Sequence, residues 1–275
     1  MDLSNNNVIH IKGKETEYLQ FKKLLEYSDK VSHAYVVGLN NSFRTSKGDN
    51  NLISLEELNK TIKSYKNICN ELGVEYSNII KPVQRHTKNV EIIEENENNN
   101  MPDFSSYENT DGLITNKKDI VLSTTNADCI LMMFYDPIKN VIANIHSGWR
   151  GTLQRISVNT VEKMKKEFGC DAENIICCIC PSIRKCHFEV DKDVYELFYE
   201  EFKDLEHIDK IIEKKENKWH IDTVLINKIL LKDQGLKEDN IVDSNICSVC
   251  NKSIIHSYRS EGKNFGLLTA IISLK

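Results

Sequence analysis

Apolar positions recur along much of the chain at helix or strand spacing. Leu52, Ile53, Leu55, Leu58, Ile62, Tyr65 and Ile68 fall at three- and four-residue steps, which predicts a helix over 51–72. Gly73 follows as its stop. Val74 to Val83 is apolar and β-branched enough for a strand, with Pro82 near its end. Two uninterrupted apolar runs, CILMMFYD (129–136) and VIANIHS (141–147), are separated by Pro137 and Asn140 and read as a hairpin of two buried strands. Thr152 is placed to cap a helix running to about Phe168. IICCIC (175–180), ended by Pro181, reads as a further buried strand. Residues 191–202 fit a helix capped by Asp191, with Val194, Leu197, Phe198 and Phe202 on one face, and 222–231 a shorter helix capped by Asp222. GLLTAIISL (266–274) closes as a strand. There is no internal repeat and no break in composition. The expectation is a single α/β (mixed α+β) domain over residues 1–275, a mixed sheet flanked by helices. EENENNNMP (94–102) is low-complexity and acidic, and reads as a surface loop within it.

Composition narrows the function classes. Hydrophobic residues make up 40% of the 275, enough for a sizeable core. The net charge is -5 and the basic residues are spread along the chain, so the basic stripe of a nucleic-acid binder is missing. No segment approaches ~18 consecutive apolar residues, so no membrane span is expected. The polar start MDLSNNNVIHIKGKETEY has no apolar signal core, which predicts a cytoplasmic protein. Nine cysteines at irregular spacing are an odd count and do not form a secreted disulfide framework. Each is then a small core residue, a metal ligand or a nucleophile.

Three segments carry polar residues that packing does not call for. His86 lies in QRHTKNV (84–90), after a strand-like run and a proline. Asp128 and Cys129 lie in TTNADC (124–129), where they open a very apolar strand. His146 ends the next apolar strand and leads into HSGWRGT (146–152), a glycine-rich turn. In an antiparallel hairpin that turns near 138, Cys129 falls opposite about 146–148, so hairpin pairing alone brings a thiol and an imidazole together. A cysteine and two histidines suit zinc, whose catalytic sites use three protein ligands and keep a fourth position open. Asp128 is placed to orient a ligand or act as a base. The spacing 86–129–146 is not a local metal motif, and each residue taken alone also fits a core or surface position. The same residues serve a second chemistry, a cysteine hydrolase with Cys129 as nucleophile and His146 as base.

QRH (84–86), DGLIT (111–115), ADC (127–129), HSGWRGT (146–152), PSIRKCHFEV (181–190) and SYRSEG (257–262) together resemble the laccase-domain, or YfiH-like, family, also labelled multicopper polyphenol oxidase-like. The resemblance runs from about residue 30 to the end and is weakest before 75. It implies a mixed α/β, cysteine-hydrolase-like fold and a zinc ion bound by His86, Cys129 and His146. It also implies phosphorolysis of adenosine, inosine, guanosine and methylthioadenosine, with adenosine deamination as a side activity. A phosphorylase must hold phosphate. Arg150 sits on a glycine-flanked turn before a helix, where backbone amides also favour anions. Arg259 and Arg44 are further substrate-binding candidates, and Trp149 reads as core. The chain departs from the family pattern at Cys180, where glycine is usual, at Ser260 and Gly266-Leu267, which replace arginine-containing positions, and at LNNSFRT (39–45), which replaces a glycine-rich stretch. A copper-dependent phenol oxidase has less support, because multicopper oxidases use HxH pairs and none occurs among the eight histidines. A non-enzymatic binding role is the remaining alternative. The Cys247/Cys250 pair lacks a partner pair in sequence and reads as two ordinary thiols; Cys177 and Cys178 read as packing residues, and His187 carries no assigned role.

Overall fold

A computed structural model describes residues 1–45, 53–95, 101–118 and 120–275. Residues 96–100 of the loop expected over 94–102, and residues 51 and 52 of the first helix, lie outside the described residues. The first strands are β1 (Val8–Lys12), β2 (Glu17–Phe21) and β3 (Val31–Val37), followed by a helix at Leu55–Leu72. Next come β4 (Ile79–Ile80), β5 (Val90–Ile92), β6 (Gly112–Thr115), β7 (Val121–Asn126), β8 (Ile130–Asp136) and β9 (Val141–Ser147). Helices at Trp149–Leu153 and Ile156–Phe168 lead to β10 (Ile176–Ile179) and β11 (Glu189–Val190). A helix at Lys192–Phe202, β12 (Ile212–Lys215), β13 (Lys218–Ile221), a helix at Thr223–Asp233, β14 (Ile241–Asp243) and β15 (Leu268–Leu274) complete the order.

The strands form two six-stranded sheets, β1-β2-β3-β15-β7-β4 and β14-β10-β8-β9-β6-β5, and a small sheet β11-β13-β12. The periodicity of β8 explains the layering. Leu131, Met133 and Tyr135 enter a core shared with Leu122 of β7 and Leu268, Ala270 and Ile272 of β15. Ile130, Met132 and Phe134 pack on the other face with Ile156, Val161 and Met164 of the helix Ile156–Phe168. Both faces of the strand are buried, which is why its sequence is apolar without alternation. The outer face of the first sheet packs against the helix Leu55–Leu72 through Tyr65, Ile68 and Cys69. The result is a helix–sheet–sheet–helix stack, and each fully buried large apolar side chain contributes about 1.5–3 kcal/mol to it. Asn144 of β9 stitches the sheets together. Its amide donates to the Leu122 and Ala270 carbonyls, and its oxygen accepts from Thr124.

The hairpin forms in the expected register, with Ile130 opposite Ser147 and Leu131 opposite His146. Gly73 closes the first helix in the left-handed region, and Asp222 caps the helix Thr223–Asp233 by accepting from the Leu225 amide. Three expectations are corrected. The strand over 74–83 shrinks to Ile79–Ile80, because residues 76–78 wind into a 3-10 turn. The helix expected from Thr152 is two helices broken at Arg155, whose φ is 58°; Gly148, not Thr152, occupies the first cap position, and Thr152 is buried inside the first turn. Asp191 stands at the start of its helix, but its carboxylate pairs with Lys218 instead of capping. No helix among the described residues is long and apolar enough to cross a membrane.

Candidate metal centre

Strand pairing assembles the site. Gly112 of β6 pairs with Ile145 of β9, and the His146 amide donates to the Asp111 carbonyl at 2.7 Å. This places Asp111, just before β6, beside His146. Cys129 immediately precedes β8, across the hairpin end from His146. His86 arrives on the loop between β4 and β5 with φ 62°, a left-handed conformation that costs a non-glycine residue of order 1–3 kcal/mol. Asp111 holds that loop in place. Its carboxylate accepts from the amides of Arg85, His86 and Thr87 at 3.0, 3.0 and 2.8 Å and from the Thr87 hydroxyl at 2.9 Å. The same carboxylate accepts from His146 Nδ1 at 2.7 Å, which leaves Nε2 of that ring facing the centre.

The three expected ligands converge. The donor atoms of His86, Cys129 and His146 all lie within 4.8 Å of one another. Cys129 Sγ is 3.8 Å from His86 Nε2, and the imidazole rings are edge-on with centroids 4.9 Å apart. Two nitrogens, one sulfur and a carboxylate orienting the second imidazole fit zinc by donor chemistry. Burial raises the Cys129 thiol, but the charge of His146 and hydrogen bonds from both histidines overcome it and bring it down to about 6. Burial disfavours the His146 cation, yet the Cys129 thiolate and Asp111 push that imidazole up to about 9. Without metal the pair is therefore thiolate and imidazolium near neutral pH. A divalent cation must displace the His146 proton, so its affinity is expected to rise as pH climbs from about 6 toward about 9. Metal titrations of the metal-free protein at several pH values check this; a flat profile across that window contradicts it.

Gly148 stands where no side chain fits. A Cβ there would lie 2.5 Å from His86 Cδ2 and 3.3 Å from Cys129 Sγ, although φ -65° and ψ 174° suit any residue. Gly148→Ala is expected to displace His86 and cost roughly 100-fold in turnover while barely moving the melting temperature of the metal-free chain. Unchanged turnover in that variant would show that His86 does not need its present position.

The centre opens into a cavity of about 1120 Å³, lined also by Arg44, Lys81, Asp128, Trp149, Arg150 and Arg259. That is large enough for a nucleoside with a second small ligand. Asp128 has φ 83° and both oxygens engaged, one by the Ser248 hydroxyl at 2.5 Å and one by the Arg259 amide at 2.7 Å. It braces the wall on which Cys129 stands. The Arg259 guanidinium donates to the carbonyls of His187 and Glu189. Arg44 donates to the Phe265 carbonyl and lies 4.5 Å over that ring. Arg150 lies 4.2 Å over the Trp149 ring and, among the described residues, has no ionic or hydrogen-bonded side-chain partner. Two site residues were not assigned roles from sequence. Asp111 stood in the DGLIT motif as a single acid before a strand. Lys81 is buried in the wall, where burial pulls its ammonium down to about 8 against the upward pull of Asp111.

A model of a family described as multi-copper polyphenol oxidoreductase laccase matches residues 42–275. The chain is 32% identical over 173 residues to the purine nucleoside phosphorylase LACC1 of Mus musculus, an alignment covering 61% of this chain and 39% of that protein. The matched stretch thus spans about two fifths of the length of that relative. It is 32% identical over 198 residues to adenosine deaminase RL5 from an unknown prokaryotic organism, covering 71% of this chain and 75% of that protein. The fold matches the crystal structure of YfiH from Bacillus licheniformis with TM-score 0.82 at 21% identity, covering 97% of this chain and 99% of that one. At that identity the likeness speaks to the fold alone.

Proposed function

Because the chain belongs to the multi-copper polyphenol oxidoreductase laccase family, whose similar proteins include a named purine nucleoside phosphorylase and a named adenosine deaminase, we propose that it is a zinc-dependent purine nucleoside phosphorylase with adenosine deaminase as a side activity. The observation that carries the reading is the convergence of His86, Cys129 and His146, oriented by Asp111, at the wall of a cavity sized for a nucleoside. His86, Cys129 and His146 would hold a zinc ion there, which would supply Lewis-acid chemistry to the bound substrate or water.

The chain's own groups do the rest. Phosphorolysis joins a phosphate oxygen to the ribose C1′ as the bond from C1′ to the purine breaks. Arg150, which lies over Trp149 in the cavity lining, is the cation best suited to hold phosphate, with the buried Lys81 ammonium, whose bonds to the Thr45 hydroxyl and the Pro82 carbonyl are both long at 3.4 Å, as a second. Arg44 and Arg259 spend donors on carbonyls and shape the walls between which the nucleoside lies. Asp111 fixes the His146 tautomer throughout. Oxidation of phenols by dioxygen calls for several coppers. Among the described residues only two groups of metal-binding side chains converge, and the second is rich in thiols.

The substrates of this reading are adenosine, inosine, guanosine and methylthioadenosine. Incubating the zinc-loaded chain with each of them and phosphate is expected to release free base and the corresponding ribose 1-phosphate, 5-methylthio-substituted for methylthioadenosine, and adenosine with water alone to yield inosine and ammonia slowly. No turnover with any of the four would overturn the reading. One observation favours a second chemistry: a Cys129 thiolate, His146 and Asp111 also form the relay of a cysteine hydrolase. The two readings part on chelation, which abolishes turnover in the first and frees the nucleophile, raising turnover, in the second.

A further inference from the structure

A second cluster lies outside the cavity. Cys186 and His187 follow one another on the segment between β10 and β11, and Cys247 and Cys250 sit about sixty residues later on the loop after β14. Their four donor atoms all fall within 4.8 Å of one another. His187 Nδ1 is 3.2 Å from the Cys186 sulfur and 3.6 Å from those of Cys247 and Cys250, and the Cys186 and Cys247 sulfurs are 3.6 Å apart. A disulfide would need about 2.05 Å between sulfurs. A tetrahedral zinc with bonds of about 2.3 Å to sulfur and about 2.0 Å to nitrogen has edges of roughly 3.5–3.8 Å. Three of these four distances fall in that range, the His187–Cys186 edge, at 3.2 Å, is 0.3 Å shorter, and all donors lie close enough to share one ion.

We propose that Cys186, His187, Cys247 and Cys250 bind a second, structural zinc ion. All four positions are filled by protein, which is the closed donor set of a structural site and contrasts with the three-ligand centre in the cavity. The surroundings fit that role. From Ser244 to Ser257 the chain forms no helix or regular strand, so few backbone ladders hold it. It is tied to the segment 182–188 by Arg184, which donates to the Ile246 carbonyl at 3.3 Å and the Ser244 hydroxyl at 3.2 Å while pairing with Asp243 at the end of β14, and by amide exchange between Ser182 and residues 246 and 248. A zinc ion would lock the same two segments. Both reach the cavity: Ser248, inside the Cys247–Cys250 turn, donates to Asp128, and the Arg259 guanidinium holds the carbonyls of His187 and Glu189. The second ion would thereby stiffen the wall behind Cys129.

Metal analysis of the full chain, purified under reducing conditions, tests this. Two zinc ions per chain are expected. Cys250→Ser should retain one, Cys129→Ala should retain one, and the double variant none. X-ray absorption of zinc in Cys129→Ala should show three sulfurs and one nitrogen. Should Cys250→Ser fail to fold, absorption on the unaltered protein still decides: two loaded sites average two sulfurs per zinc, the triad alone one. One zinc per chain with one sulfur overturns the proposal, as does a disulfide among Cys186, Cys247 and Cys250 in protein handled without oxidant. Because the cavity site is scored separately by Cys129→Ala, failure of either site is told apart from failure of the other.

Discussion

Cys129→Ala is expected to remove the zinc of the cavity and to lower phosphorolysis by on the order of 10³-fold, with the fold kept. Lewis-acid stabilisation by a bound ion amounts to several kcal/mol, and each 1.36 kcal/mol is about tenfold in rate. Cys129 is suited to be the strongest ligand, since its thiol is already lowered to about 6 by the two imidazoles. Its side chain lies at the strand end and is not part of either sheet core, so the metal-free variant should still fold cooperatively, with a melting temperature lowered only by loss of the pairing with His146. Turnover within tenfold of the parent, with the cavity zinc gone, would separate the metal from the reaction.

The next largest effect is expected at Asp111, a residue that touches no substrate. Asp111→Asn puts an amide where the His86 N–H and the His146 Nδ1–H now both donate to one carboxylate oxygen. Whichever way the amide turns, buried donors face a donor, at about 1–3 kcal/mol for each group left unpaired. The His146 tautomer loses its anchor and the strained His86 loses a clamp, so zinc affinity is expected to fall 10–100-fold. The pH dependence of stability should change too. Burial raises the Asp111 carboxyl, but the His146 hydrogen bond and charge and the amides of Thr87 and Arg85 hold it below 3.8. Its stabilising contribution is therefore complete above the unfolded value and is lost as pH falls through the lower folded value. Acid unfolding curves of the variant should lack that part of the drop. Rescue of zinc affinity by Asp111→Glu but not by Asp111→Asn would point to the charge itself.

Some of this was legible in the chain and some was not, for physical reasons. The hairpin of β8 and β9 could be read because both faces of both strands are buried, which leaves long apolar runs with a proline and an asparagine between them. That hairpin brings Cys129 and His146 together through local pairing. Asp111 acts through β6, whose pairing with β9 spans some thirty residues, and a lone acid before a short strand gives no sign of it. The break at Arg155 went unseen because no glycine or proline marks it: Leu153, Gln154 and Arg155 itself are good helix formers, yet Arg155 adopts φ 58°. β1 mixes exposed and buried positions and gives no clear apolar pattern, whereas β3 is buried throughout and its run is interrupted by Ser32 and His33, polar residues that hide it. Cys247 and Cys250 looked like ordinary thiols because Cys186 and His187 join them only in space.

Anomalous scattering from crystals at the zinc absorption edge bears most directly on the central claim. A peak is expected within bonding distance of His86 Nε2, Cys129 Sγ and His146 Nε2, inside the cavity and not shared with any fourth side chain. An empty map at that point from zinc-loaded, active protein would contradict the claim, and with it the assignment of the three residues as one centre.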